Sequence, residues 1–193
     1  MMHIITGSAR GVRLETLAGE ATRPTSERAK EAIFSMLQFD LEGRRVLDLF
    51  AGSGQMGLEA LSRGALHAVL VDRERDAAAI VRKNAEKTRL ASRATVCVSD
   101  AIAYIKTYRG EPFHLVFLDP PYAAGLLPEV LRTLLARELL TTGATIVAEC
   151  GNPRDLFGGD EVLAAQFTII KEKRYGAAYV FFLTPVCAKK EEA

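Results

Sequence analysis

Two periods of apolar residues alternate along most of this chain, and the alternation predicts its architecture. Short unbroken apolar runs stand at "RVLDLF" (45–50), "HAVLVD" (67–72), "ATVCVSD" (94–100), "FHLVFLD" (113–119) and "ATIVAEC" (144–150). Runs this short and continuous suit strands buried on both faces. Between them lie "GQMGLEALSRG" (54–64), "RDAAAIVRKNAEKTRL" (75–90), the short "AIAYIKTY" (101–108) and "LLPEVLRTLLARELL" (126–140). These read as helices, the first stopping at Gly64. Strands alternating with helices imply an α/β fold, a parallel sheet with helices on both faces. The alternation ends with "QFTIIKEKRYG" and "AAYVFFLTP", two strand-like runs joined by a glycine turn. They predict an antiparallel hairpin at the sheet edge.

Before residue 45 the pattern is different. "MHIITGSARGVRLETL" reads as two short strands around the turn "GSARG", and "ATRPT" as a linker. A helix is expected from Ser26, its N-cap, with Ala29, Ala32, Ile33, Met36 and Leu37 forming one apolar stripe. The tail "AKKEEA" is charged and expected to fray.

Composition narrows the function classes. A chain of 193 residues, 49% hydrophobic and 25% charged, can bury one full core with a small appendage. No apolar run approaches the ~18 residues a membrane helix needs. The N-terminus "MMHIITGSARG" carries no signal-peptide stretch, so a cytoplasmic protein is expected. Cys97, Cys150 and Cys187 are widely spaced and read as reduced structural residues. His3, His67 and His114 cluster with no other ligand type, so no metal site is expected. A net charge of +1 gives no general support for nucleic-acid binding, which would have to rest on a local patch.

Candidate chemistry begins with "VLDLFAGSGQMGLEA" (46–60), where Gly52, Gly54 and Gly57 follow a strand and open a helix. Glycines there let the backbone turn tightly and approach a ligand, and the helix start adds unpaired N–H groups. About 20 residues on, Asp72 ends the second strand, where an acid can accept from both ribose hydroxyls. The arrangement suits a dinucleotide and equally an adenosyl cofactor without phosphates. Asp48 leans toward the second, because an anion inside the first strand fits a ligand with a cationic part. Asp100 ends the third strand, where an adenine amino group could meet it, and it is also a candidate helix N-cap.

The fourth strand runs straight into "DPPY" (119–122). Two prolines end strand pairing because neither can donate an N–H, and they stiffen the chain around Asp119 and Tyr122. In an open sheet of this type ligands bind at the carboxyl ends of the strands, where strand order reverses. "DPPY" should therefore face the glycine loop. The Asp119 carboxylate and the Pro120 carbonyl could hold both hydrogens of a nucleobase amine and stabilise the positive charge that grows during attack. Tyr122 offers a flat surface for the base. The matching donor is S-adenosylmethionine, with positioning doing most of the remaining work.

Taken together these residues resemble the class I S-adenosylmethionine-dependent methyltransferases that modify amino groups. The blocks "MHIITGSARGVRL", "ATRPTSERAKEAIFSML", "VLDLFAGSGQMGLEALSRGA" and "FLDPPY" resemble, in order, those of the RsmD family, bacterial enzymes acting on the N2 amine of a guanine in 16S rRNA. The resemblance runs from residue 2 to about residue 125; the last third matches only in its strand pattern. It implies a Rossmann-like sheet of seven strands closed by a hairpin. It divides the chain into an N-terminal hairpin extension (1–24), a methyltransferase domain (25–186) and a tail (187–193). It implies that Asp48, Phe50, Ala51, Gly52, Ser53 and Gly54 line the cofactor pocket. Asp72 and Arg73 would lie at the ribose, and Asp100 and Ala101 near the adenine. Arg23 and Thr25 would flank the methionine end or the entering nucleotide, and Asp119, Pro120, Pro121 and Tyr122 would meet the target base. Arg10, Arg13 and Arg28 would help to hold RNA. The implied partner is 16S rRNA or the small ribosomal subunit, bound by a monomer without metal or membrane. Gln55-Met56 departs from the smaller or more aliphatic pair expected there.

Three other readings share parts of this pattern. One is amino methylation of DNA adenine, although a chain this short has no room for a target-recognition domain. Another is an NAD-dependent oxidoreductase on the same glycine loop, against which Asp48 and the lack of an acid–base pair weigh. The last is a non-catalytic RNA-binding module, which the intact Asp119 and Tyr122 disfavour.

Overall fold

In a computed structural model the chain is described over residues 2–16, 24–38 and 40–186, apart from the side chains of residues 24–26 and 123. The elements are, in order, α1 (Pro24–Met36), β1 (Arg45–Asp48), α2 (Gln55–Ser62), β2 (His67–Asp72), α3 (Arg75–Lys87), β3 (Ala94–Val98), α4 (Ala101–Thr107), β4 (Phe113–Leu118), α5 (Leu127–Ala136), β5 (Leu140–Cys150), α6 (Glu161–Ala164), β6 (Phe167–Tyr175) and β7 (Ala178–Pro185). The strands form one sheet in the order β3-β2-β1-β4-β5-β7-β6. The first five run parallel, and β7 pairs antiparallel with both β5 and β6. This is the α/β sheet with a closing hairpin that the sequence predicts.

Strand periodicity divides the core between the two faces of the sheet. Val46, Ala68, Leu70, Leu115 and Phe117 pack with Ile33 and Phe34 of α1, Leu58 and Leu61 of α2 and Val81 of α3. Leu47, Val69, Val71, Val116 and Leu118 pack on the other side with Ile102 and Ile105 of α4 and Leu131 and Leu134 of α5.

Several boundaries differ from expectation for a shared reason. The helices α3 and α5 stop at Lys87 and Ala136, short of the predicted residues 90 and 140. Each stop uses a non-glycine residue in the left-handed region, Arg89 at φ 60° and Glu138 at φ 53°. Each is closed by a backbone bond back over the last turn, Leu90 N–H to the Ala85 carbonyl and Leu139 N–H to the Leu134 carbonyl. The usual glycine signal for such a stop is missing at both places. The strand β5 starts at Leu140, ahead of the predicted Ala144, because Leu140 pairs with Phe113 across a register shift in β4. The short α6 was not foreseen; Asp160 caps it by accepting from Leu163 N–H at 2.9 Å.

The apolar face of α1 is turned by one residue from the predicted stripe. Ala29, Ile33, Phe34 and Leu37 are buried, while Met36 is exposed. Phe34 meets Phe117 of β4 with ring centroids 5.8 Å apart, and the Arg63 guanidinium lies over the Phe34 ring. Lys30, a cation on the same helix, is 2% exposed. Its Nζ stands 3.2 Å from Glu59 Oε2 on α2 and donates to the His3 carbonyl. Burial pulls the Lys30 amine below its ordinary range, and the Glu59 carboxylate works against that shift.

Glu59 also explains the shape of the N-terminal arm. Only one bridge, His3 to Arg13, joins the two predicted strands among the described residues. Ile5 N–H and Thr6 N–H instead donate to the Glu59 carboxylate at 2.7 and 3.0 Å, and Arg63 Nε donates to it at 2.7 Å. Ser8 N–H and Ala9 N–H go to the carbonyl and hydroxyl of Ser62. The arm divides its donors between α2 and its own turn, with Ile4 N–H on the Val12 carbonyl and Leu14 N–H on the Met2 carbonyl, and its Met2, Ile4, Ala9 and Leu14 join the core. Removing one member of such a buried charge cluster typically costs about 3–5 kcal/mol.

Candidate active site

Strand order reverses between β1 and β4, which are hydrogen-bonded neighbours. A crevice opens at the carboxyl ends of strands where this happens. Asp48 is paired in register with Phe117. Asp119 therefore stands two residues beyond, roughly 7 Å further along the strand direction. The two predicted motifs are thus brought to one edge of the sheet, on adjacent strands.

The β1 side of the crevice is tightly built. Gly52 and Gly54 have φ values of 53° and 78°, in the left-handed region that favours glycine. A Cβ on Gly54 would lie 3.0 Å from Val81 Cγ1, and one on Gly57 would lie 2.7 Å from Leu70 Cδ2. A Cβ on Gly52 would meet nothing within 4 Å. Gly54 and Gly57 are therefore needed for packing on α3 and β2, whereas the space over Gly52 is open. Asp72 Oδ2 accepts from Gly52 N–H at 2.8 Å, and Oδ1 from Glu74 N–H at 2.9 Å. Asp48 is 4% exposed and accepts from Gly57 N–H at 3.0 Å through Oδ2. Burial pushes its carboxyl up to about 7; the Gly57 bond opposes this and the nearby Asp72 charge adds to it.

The remaining cofactor candidates border this loop. Ala51 N–H donates to the Val71 carbonyl and Ser99 N–H to the Asp72 carbonyl, which ties the ends of β1, β2 and β3 together. Asp100 caps α4 by accepting from Ala103 N–H at 2.9 Å, and Ala101 begins that helix. Phe50 is half-buried against the α4–α5 side. Arg73 is exposed and paired with Glu74 at 3.0 Å. Met56, beside Gln55 at the start of α2, packs against the core. Arg23 lies outside the described residues; Thr25 belongs to α1, and its side chain is not described.

The β4 side is more open. Pro120 is buried, while Asp119, Pro121 and Tyr122 are exposed. Tyr122 opens a short 3₁₀ turn through Ala124. Its hydroxyl donates to Glu149 Oε1 on β5, and its ring lies against Gly151, where a Cβ would come within 2.9 Å of Tyr122 Cδ2. Neither Glu149 nor Gly151 was singled out from the sequence. An acid near the end of the buried run "ATIVAEC" was the signal, of the same kind as Asp48 and Asp72.

The arginines expected to hold RNA are exposed. Arg10 sits beside Ala9, which is bound to Ser62 at the end of α2 opposite the glycine loop. Arg13 is on the same arm, bridged to His3, and Arg28 is on α1. Two surface clefts, lined by Leu37, Arg44 and His114 and by Leu134, Leu140 and Pro185, lie at the opposite end of the sheet from the crevice. Among the described residues no group of acidic, histidine and cysteine side chains could hold a metal. No described helix is long and apolar enough to cross a membrane.

Comparison with known proteins places this geometry in a family. Residues 2–184 match the family model described as "Conserved hypothetical protein 95". The chain belongs to that family. It is the RsmD family, within the S-adenosylmethionine-dependent class I methyltransferases. "Ribosomal RNA small subunit methyltransferase D" of Escherichia coli strain K12 is 34% identical over 175 residues, covering 91% of this chain and 85% of the relative. The protein of the same name from Haemophilus influenzae is 32% identical over 177 residues, covering 91% and 89%. The solved structure of yhhF from Escherichia coli is 31% identical, with a TM-score of 0.82 over 95% of this chain and 97% of its own. The RsmD family match extends through β7, beyond the blocks that carry the resemblance in the sequence.

The residues of the crevice fit the adenosyl cofactor of the RsmD family. A carboxylate has about four lone-pair sites. Asp72 uses one on each oxygen for the backbone, which leaves acceptor capacity for two ribose hydroxyls. Open space over Gly52 gives a ligand access to the backbone. Residues 48–57 carry one carboxylate, Asp48, and no basic side chain, a set suited to a ligand without phosphates.

Proposed function

We propose that this protein methylates the N2 amino group of a guanine in small-subunit ribosomal RNA, with S-adenosylmethionine as methyl donor. Methylation of ribosomal RNA is the activity that its named relatives carry. The observation that carries the reading for this chain is the pairing of β1 with β4 at the point of strand-order reversal. It sets "DPPY" beside the glycine loop.

When bound, the cofactor supplies an electrophilic methyl group on a sulfonium centre. Asp72 holds the ribose, and Asp48 provides a buried acceptor near the cationic end. The Asp119 carboxylate and the Pro120 carbonyl accept the two amine hydrogens. In doing so they orient the nitrogen lone pair and stabilise the charge it gains. Pro120 and Pro121 restrict the backbone that aims that carbonyl. Tyr122, braced at its hydroxyl by Glu149, gives the base a fixed plane to stack on. Asp119 or water takes the proton released from the methylated nitrogen. Arg10, Arg13 and Arg28 contact RNA phosphates away from the reacting base. A guanine in a duplex must leave the stack to reach the crevice, so an unpaired or extruded base is the substrate form.

The test is transfer of radiolabelled methyl groups from S-adenosylmethionine to small subunits from a strain lacking the enzyme. Nucleoside analysis of the digested RNA is expected to give N2-methylguanosine. Label on adenine, or on guanine at another atom, would refute the N2 assignment.

A further inference from the structure

Asn84 is fully buried in α3, and its side-chain amide joins two segments far from it in sequence. Its Nδ2 donates to the Ser53 carbonyl in the glycine loop at 2.9 Å and to the Glu15 carbonyl in the N-terminal arm at 2.9 Å. Its Oδ1 accepts from Glu15 N–H at 2.8 Å. Both amide hydrogens and the carbonyl oxygen are thus engaged. Val81, three residues earlier on the same helix, supports Gly54 from below. The arm makes a second contact with the loop, Ser53 Oγ donating to Met2 Sδ at 3.0 Å.

We propose that Asn84 is a positioning residue that couples the cofactor loop to the N-terminal arm, so that the arm's seating sets cofactor affinity. The inference rests on the reading that Gly52–Gly54 hold S-adenosylmethionine. Ser53 is 4% exposed, and its carbonyl faces the protein interior. Losing the Asn84 donor there leaves that carbonyl buried without its partner, and the peptide between Ser53 and Gly54 is then held only by Gly54 N–H on the Ala51 carbonyl at 2.6 Å. A bidentate clamp on residue 15 means that displacing the arm pulls on the same amide. Coupling of binding events is reciprocal. RNA that seats the arm, through Arg10 and Arg13, therefore tightens the cofactor, and the cofactor tightens RNA.

The test uses the full chain and adenosylhomocysteine as probe, with affinity measured by calorimetry. Glu15→Pro removes the N–H that Asn84 accepts, at an exposed residue that lies outside the crevice. Glu15→Ala keeps that N–H and removes only the side chain. Asn84→Asp is near-isosteric but turns the donor toward two carbonyls into an acceptor. E15P and N84D are expected to weaken binding about fivefold or more, and E15A by less than twofold. In the ligand-free protein, amide hydrogen exchange at Ser53 and Gly54 is expected to speed up about tenfold in E15P and N84D. Affinity and exchange in E15P equal to wild type overturn the proposal, as do equal losses in E15A and E15P. Should N84D fail to fold, E15P decides alone. Absence of binding by the wild type would instead remove the cofactor reading, and the coupling with it.

Discussion

The two sides of the crevice are built in opposite ways. On the β1 side Asp48, Ser53 and Gly54 are buried, and the loop is fastened by Gly52 N–H to Asp72, Gly57 N–H to Asp48 and the Asn84 amide to Ser53. On the β4 side Asp119, Pro121 and Tyr122 are exposed, and Tyr122 is braced from outside the segment by Glu149 and Gly151. On the proposed function, the difference follows from what each side would accept. A small charged donor is held best by preorganised, desolvated groups, whose interactions gain strength as water is excluded. A base on a large RNA has to arrive from solvent, so its acceptors must be reachable and its backbone stiff without being enclosed. Prolines give stiffness on an exposed segment where a hydrogen-bonded ladder cannot continue.

That contrast can be broken most sharply at Asp119. D119A is expected to lower kcat by about 10²–10³, the usual loss when one preorganised group at developing charge is removed. Calorimetric affinity for adenosylhomocysteine should stay within twofold of wild type. Parallel loss of both would mean that the two sides are a single binding unit.

The next largest effect concerns the enclosed side. Asp48 titrates at about 7 in the folded protein, against an ordinary carboxyl value of 3.8. Between those values the folded state holds more protons than the unfolded state. The stability that the protonated carboxyl contributes is full below pH 4 and is lost as pH rises through 7. D48N removes this titration and keeps an acceptor for Gly57 N–H. Its stability advantage over wild type, measured by urea unfolding without ligand, is therefore expected to grow from pH 4 to pH 7.5 by a few kcal/mol. Parallel pH profiles for the two proteins would remove the claim that Asp48 is held in a water-excluded site.

Smaller effects sharpen the account of the open side. Y122A is expected to raise the KM for RNA by about 5- to 150-fold, the range of about 1–3 kcal/mol for base stacking, while cofactor affinity is unchanged. An unchanged KM would take Tyr122 out of base recognition. E149Q keeps the ring and weakens only its brace, so a rise of about two- to fivefold in the same KM is expected. A loss as large as that of Y122A would give Glu149 a direct part in binding.

The parts legible in the sequence share a local cause. Apolar runs, helical stripes and the glycine and proline positions act over a few residues, so they mark β1 through β7, the glycine loop and the end of β4 wherever these lie in space. The stops of α3 and α5 escaped because Arg89 and Glu138 adopt a conformation that glycine usually signals. The turn of α1 escaped because a buried lysine reads as a surface cation until its partner is known. Glu149 and Asn84 escaped in the same way, as polar residues within otherwise ordinary elements.

Sequence by itself determined the order of strands and helices apart from α6, and it put forward the residues proposed for methyl transfer. The neighbouring of β1 and β4 was expected from the fold type and is observed; tertiary structure alone decided which buried polar groups find each other. Lys30 with Glu59 and Asn84 with Glu15 and Ser53 are matched only when segments distant in the chain come together over one face of the sheet. The physical reason is that hydrophobic periodicity is a one-residue property set by burial. A buried hydrogen bond belongs to two groups at once, and it exists only after the chain has brought both out of water.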